Sequence, residues 1–398
     1  MSTSHSFTPF VPDDTALGTA GLLDKAMQLH KQASGLVAVG LETRATLVSY
    51  MAVINSYYSN LIEGNRTRPH EIRLAQQGAF ANDAAKRDSQ LESLAHIQVQ
   101  QWLQKQNPSV DELFSPDCIR AIHQQFYLHV PLALRRMKNS QGEVIDEVQP
   151  GMWRQRDVLV GRYQPPAAEK ITELMQQFCE IYNPNRYAGD KKIIAVMCAH
   201  HRFAWLHPFV DGNGRVGRLL TDAALRAIGF ETTGIWCLSR GLARESNRYK
   251  TLLAYADMPR QGDLDGRGEL SQQALLEFCD FMLDVALDQV AYMNQLLQLD
   301  QMYLRIKSYV QARNDKRLPG IGAIKESAAL ILYHAFVGGK IDRALAIELS
   351  GMTERTARRL LAQMKEEGLI TETSSRSPLY WSIPEHAEPW YFPQLTPF

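Results

Sequence analysis

Between Leu206 and Arg218 the chain reads LHPFVDGNGRVGR: one histidine, one carboxylate, three glycines and two arginines in thirteen residues. Helical patterns adjoin it on both sides. The residues before it, IIAVMCAHHRFAW, read as a helix, and those from Leu219 to Ile228 recur at helical spacing. Gly212, Gly214 and Gly217 satisfy G-x-G-x-x-G, and Glu231 follows, but a dinucleotide fingerprint needs a strand before it in a βαβ unit. No such alternation surrounds it. G-x-x-x-x-G-K-[ST] occurs nowhere, so a P-loop is excluded. What remains is a helix start whose backbone N–H groups can approach an anion, with the helix dipole favouring negative charge. Arg215 and Arg218, three apart, project from roughly one side of that helix. His207 and Asp211 lie just upstream, where a general base and a magnesium ligand would stand. The plainer reading is a glycine-rich turn with a solvated charged end.

The rest of the chain is mostly helical in pattern. Leu47, Tyr50, Met51, Ile54, Tyr57, Tyr58, Leu61 and Ile62 form one broad apolar face from about residue 41, stopped at Gly64-Asn65. Further helices are expected over 89–106, from Ser115-Pro116, and over 169–182, 191–205, 219–228, 247–255 and 270–309. The one stretch before residue 300 that reads as β lies between Met152 and Tyr163, a short hairpin rather than a central strand. Residues 259–269, rich in Gly and Asp, read as an exposed loop. After Pro319 the order changes to a short helix over 342–349, a tight turn, a second helix capped by Thr353 and ended by Gly368, and two strands at 369–371 and 379–381. Helix, turn, helix and wing is the winged-helix pattern.

Composition narrows the classes. Lys plus Arg is 43 and Asp plus Glu is 43, so no global field draws the chain to nucleic acid or an acidic membrane. With 45% hydrophobic and 22% charged residues it is an ordinary globular sequence of two or three domains. Five scattered cysteines without C-x-x-C argue against a disulfide framework and a zinc ribbon. The apolar run 327–339 is too short to span a bilayer, and the first residues show no signal peptide, so the expected address is the cytoplasm.

LHPFVDGNGRVGR matches the Fic motif, H-x-F-x-[DE]-G-N-G-R-x-x-R, at every specified position. SNLIEG, from Ser59 to Gly64 and followed by Asn65, resembles the family's inhibitory motif, [ST]-x-x-x-E-[GN], and DVLVGRYQPP resembles its flap. The resemblance spans roughly residues 45 to 260. It implies a mainly α fold, a Fic-type helical core with a β-hairpin flap, joined to a C-terminal winged-helix domain. We divide the chain into 1–110, with the inhibitory helix, 111–290, the catalytic core, and 291–398, a linker helix and the winged helix.

The implied activity is transfer of AMP from Mg·ATP to a Ser, Thr or Tyr hydroxyl of a target protein or of the chain itself, with release of pyrophosphate. His207 would accept the hydroxyl proton. Asp211 would hold Mg²⁺. The run Gly212, Asn213, Gly214, Arg215, Val216, Gly217 and Arg218 would bind the nucleotide, the Asn213 side chain joining the backbone as phosphate cradle and the two arginines offsetting charge. Phe209 would be a core anchor. Val158, Leu159, Val160 and Gly161 would cover the nucleotide and offer a strand edge to the target. Tyr249 sits where similar proteins place an aromatic residue near adenine, and Asp257 stands where some of them have Asn. Glu63 would pair with Arg218, steadied by Ser59, and hold ATP in a non-productive pose.

Two other classes stay open. One is a transcriptional regulator that contacts nucleic acid through Arg355, Arg358, Arg359 and Lys365 on the second C-terminal helix, where Glu354, Glu366 and Glu367 interrupt the charge and leave protein docking or a homodimer as alternatives. The other is a metal-dependent hydrolase built from His200, His201, His207 and Asp211, against which adjacent histidines point about 100° apart on a helix.

Overall fold

The computed structural model describes residues 11–12, 18–138, 144–161, 163–256, 258–266 and 270–395. The described residues are predominantly helical, with a two-stranded and a three-stranded sheet. They divide into two compact units: Met1–Gln32 with Asn55–Gln289, and Ala33–Ile54 with Val290–Phe398.

In the first unit the centre is a helix, Lys191–Leu206, buried from Ile193 onward on almost every face, as its apolar composition requires. The motif helix, Asn213–Ala227, packs against it, with Gly217 set close to the Phe203 ring, and buries Val216, Leu219, Leu220 and Ala223. Helices Ala84–Gln106 and Pro116–Leu128 complete the surround. Their starts follow local chemistry: Asp83 accepts from the Lys86 N–H at 2.9 Å and Ser115 from the Cys118 N–H at 3.2 Å. The helix Leu41–Ile62 ends ahead of Gly64, whose φ of +94° no side chain would favour.

Two expectations need correcting. Before residue 300 the paired strands are Arg136–Lys138 and Val144–Glu147, antiparallel, in a stretch we read as neither. They are short and polar at their ends, so no alternation betrays them. Among the described residues of 152–163 there is no strand, only a bridge between Val160 and Tyr163. The helix expected over 270–309 is two helices, Gln272–Leu296 and Leu299–Asn314, because Gln298 turns extended (ψ 128°) while the apolar period runs on through the break.

The second unit contains the helices Ala328–Gly338, Arg343–Ser350 and Glu354–Glu366. Lys340–Ile341, Leu379–Trp381 and Ile370–Thr371 form an antiparallel sheet with Leu379–Trp381 central. Its core gathers Ile331, Phe336, Leu360, Met364 and Trp381, all buried. Arg313, fully buried, grips Glu367 bidentately at 2.6 and 2.7 Å. Among the described residues no helix is long and apolar enough to cross a membrane, and the five cysteines are free thiols.

Candidate active site

His207 closes the central helix in the left-handed region (φ 47°, ψ 59°), and that sharp exit turns the chain into Pro208 and Phe209. Arg154 fixes the turn. Buried itself, it donates from Nε to the His207 carbonyl at 2.9 Å, from Nη1 to the Arg156 carbonyl, and from Nη2 to the Pro166 carbonyl. Burial lowers the His207 pKa from 6.5 to about 4, with Arg154 acting in the same direction, so the imidazole is neutral at physiological pH.

Phe209 is fully buried and stacks on His123 with centroids 3.8 Å apart and planes within 6°. His123 Nδ1 accepts from the Gly151 N–H at 2.9 Å, which leaves Nε2–H to donate to the Asp211 carbonyl at 3.3 Å. The Asn213 side chain is spent on the same turn, accepting from the Phe209 N–H and donating to the Phe209 carbonyl, both at 2.9 Å. It holds the loop closed. Gly212 follows at φ +82°, and a Cβ there would lie 2.9 Å from the Tyr127 ring. The motif helix then starts with no side chain capping it.

Asp211 keeps its carboxylate half-exposed. Tyr127 donates its hydroxyl to Oδ2 and Arg215 Nη2 approaches the same oxygen at 3.0 Å. Burial pushes its pKa up, but Arg215, the Tyr127 bond and the Gly212 N–H outweigh that and leave it below the usual value. Arg215 is buried, stacked 4.7 Å over Phe126 and bonded through Nη1 to Glu92 at 3.3 Å. It braces Asp211 from behind. Glu92 also accepts from Asn65 at 3.1 Å, so the turn after Glu63 is linked to the Asp211 loop.

Arg218 is 3% exposed and fully committed: Nε to Ser59 Oγ at 2.9 Å, Nη2 to the Ser59 carbonyl at 2.9 Å, and Nη2 to Glu63 Oε1 at 2.7 Å. The Glu63 contact is thus single-point, with Ser59 accepting twice from the guanidinium, where we expected a steadying role. A Cβ at Gly214 would collide with the Glu63 carboxylate, so that carboxylate lies directly over the helix start. Burial pushes the Glu63 pKa up, and Arg218 more than reverses it. Glu63 is a carboxylate anion where a helix N-terminus and an arginine favour negative charge.

Behind Arg218 runs an ordered relay. Thr221 donates to the Gly217 carbonyl at 2.7 Å and so accepts from His200 Nδ1–H at 2.8 Å. His200 Nε2 then accepts the Tyr249 hydroxyl at 2.8 Å, and that oxygen accepts from Arg218. His200 is held neutral, its pKa lowered to about 3 by burial and by Arg218. Both its nitrogens are used, and among the described residues no three His, Cys, Asp or Glu side chains converge to hold a metal. The hydrolase cluster of His200, His201, His207 and Asp211 is not assembled.

A cavity of about 450 Å³ opens on this arrangement. Glu63, Val160, Gly161, His207, Asn213, Gly214, Arg218 and Tyr249 all line it, as do Tyr163, Trp205, Lys250 and Leu253, which the sequence did not single out. Lys250 donates to the Ile62 carbonyl at 3.1 Å, tying the end of the Glu63 helix to the cavity wall. Leu159 is 69% exposed and Val158 lies outside the lining. Asp211, Gly212, Arg215, Val216, Gly217, Ser59, Gly64 and Asn65 stand behind or beside the cavity. Asp257 lies outside the described residues.

Residues 113–225, which include the motif, match the model of the Fic/DOC family. Over 174 residues, 44% of this chain and 33% of the relative, it is 26% identical to the protein adenylyltransferase Fic of Drosophila virilis. It is 34% identical over 86 residues to that of Drosophila sechellia, covering 22% of this chain and 18% of the relative. The chain thus spans about a third or less of the length of these curated relatives. The fold is shared with a Fic family protein from Desulfovibrio desulfuricans G20, at TM-score 0.53 and 16% identity over 95% of this chain and 98% of that one. It is also shared with a Fic domain containing signaling protein from Bacteroides thetaiotaomicron, at TM-score 0.52 and 17% identity over 68% of this chain and 96% of that one.

Proposed function

We propose that the chain transfers AMP from Mg·ATP to the hydroxyl of a Ser, Thr or Tyr side chain in a protein, its own chain included, and that Glu63 restrains it. One observation carries the reading: the neutral imidazole of His207, the uncapped helix start at Gly214 and the Arg218 guanidinium line a single cavity large enough for a nucleotide, with a carboxylate already lying over the anion position. The target hydroxyl oxygen attacks the α-phosphorus as His207 takes its proton; the bond to the β-phosphate oxygen breaks and pyrophosphate leaves. The N–H groups of the motif helix and Arg218 favour the charge on the phosphates.

The donor set suits Mg²⁺. Asp211 is a half-exposed carboxylate beside the phosphate position, held in one orientation by Tyr127 and Arg215, and a hard cation bound to few protein oxygens plus phosphates needs little more. When bound, the ion neutralises phosphate charge. On this reading 1–110 supplies restraint and 111–290 the chemistry, while 291–398 ends in a winged helix that serves a separate partner. Incubation of a lysate with the chain and ATP labelled at either the α- or the γ-phosphate tests the reaction. Label should enter protein from the α position alone; transfer from the γ position, or nucleotide hydrolysis with no labelled protein, refutes it.

A further inference from the structure

We infer that the C-terminal unit carries a binding surface for duplex DNA, formed by the exposed face of the helix Glu354–Glu366 and the hairpin turn at Ser374–Arg376. The helix is sharply two-faced. Ala357, Leu360, Leu361 and Met364 are buried, while Arg355, Thr356, Arg358, Arg359 and Ala362 are exposed. Thirteen residues make a rod about 20 Å long, and a free helix face of that size fits a major groove about 12 Å wide.

Charge decides the partner. The formal balance of this region is close to even, which is why the sequence left it ambiguous, but most of its acids are neutralised inside the unit. Glu367 is gripped by Arg313 at 2.6 Å. Glu372 in the wing takes both Lys365, at 2.5 Å, and Arg343. Glu354 is paired with Arg358 at 2.5 Å. Among the described residues this leaves Arg355 and Arg359, one turn apart on one face, and Arg376 at the wing tip, against Glu366 at the far end of the helix. The turn bearing Arg376 is stiffened by reciprocal bonds between Ser374 and Ser377, near 3 Å, so the wing arginine is presented from a fixed loop. A shallow groove runs along Glu354, Arg355, Arg358, Arg359 and Ala362, lined by three arginines and one carboxylate, which Arg358 pairs, over one small residue. Backbone phosphates on the two sides of a groove meet this pattern of a basic helix flanked by a basic, hydroxyl-rich wing. The surface owes nothing to the nucleotide chemistry proposed above.

The test is fluorescence anisotropy of a labelled random-sequence duplex titrated with the full chain. Three phosphate contacts predict a logarithmic salt slope of about −2.7, so affinity should fall about 40-fold between about 50 and about 200 mM salt. Replacing Arg355, Arg359 and Arg376 together by Ala, all exposed positions, should remove binding while the thermal melt stays unchanged. Absence of binding at low salt overturns the inference and leaves the surface to a protein partner. So does a triple variant that binds the duplex as tightly as the parent.

Discussion

Glu63→Gly is the perturbation whose size the structure lets one work out. Arg218 is 3% exposed and the Glu63 side chain 37%, so the pair lies between two regimes. An exposed bridge is worth about 0–1 kcal/mol, and breaking a buried one costs about 3–5 kcal/mol. Solvent on the carboxylate side discounts the pair to about 2 kcal/mol, and if that energy holds Arg218 away from phosphate, its release is worth about 30-fold in rate. Arg218 stays in place without Glu63, because Ser59 still accepts from Nε and Nη2. The substitution also clears the volume over Gly214. Initial rates of AMP incorporation from α-labelled ATP should therefore rise about 30-fold, and adding Arg218→Ala should abolish the gain. An unchanged or lower rate, with folding confirmed by circular dichroism, would refute the restraint.

Other outcomes follow from the same geometry. His207→Ala should abolish transfer yet leave nucleotide binding near the parent value by calorimetry, since it removes a proton acceptor and no phosphate contact. Arg154→Met strips donors from the carbonyls of His207, Arg156 and Pro166, and should lower stability by about 3 kcal/mol in urea melts and depress transfer with it. The acid limb of kcat/KM should fall well below pH 6.5, since His207 in the free enzyme titrates at about 4 and loses its proton-accepting form only as pH drops through that value. His96, His123 and His200 are each lowered to about 3 by burial. An unfolded chain binds their protons first, so stability should begin to fall below pH 6.5, by about 1 kcal/mol per histidine at pH 5.5, and continue falling towards pH 3.

The residues that the sequence exposes are those whose chemistry is local. Gly212, the Ser115 cap and the end of the Leu41–Ile62 helix each depend on a few neighbours in the chain and stand where the pattern put them, whereas Thr353 holds the N-cap position but its hydroxyl bonds Thr356 Oγ1 and caps no backbone N–H. Pairing across long separations is less legible. Glu63 and Arg218 were joined through a family motif and not through any periodicity. Tyr127, His123, Glu92 and Arg154, which hold Asp211 and His207 in place, sit 53 to 123 positions from the motif residues they touch. Nothing in their own segments marks them: Tyr127, His123 and Glu92 lie on helices and Arg154 lies between elements. Asn213 shows what the motif alone does not: its side chain bonds the Phe209 backbone, while the residue still lines the cavity. The strands at 136–147 escaped notice because three or four residues are too few for a period to show.

The central claim is AMP transfer that depends on His207 and is released by losing Glu63. The direct measurement is mass spectrometry of the Glu63→Gly chain and of lysate proteins after incubation with Mg·ATP, reading intact masses and then peptides. The account predicts an AMP adduct on a Ser, Thr or Tyr side chain, present with Glu63→Gly and lost when His207→Ala is added. An adduct that persists without His207, or no adduct on any protein with folded Glu63→Gly chain, contradicts it.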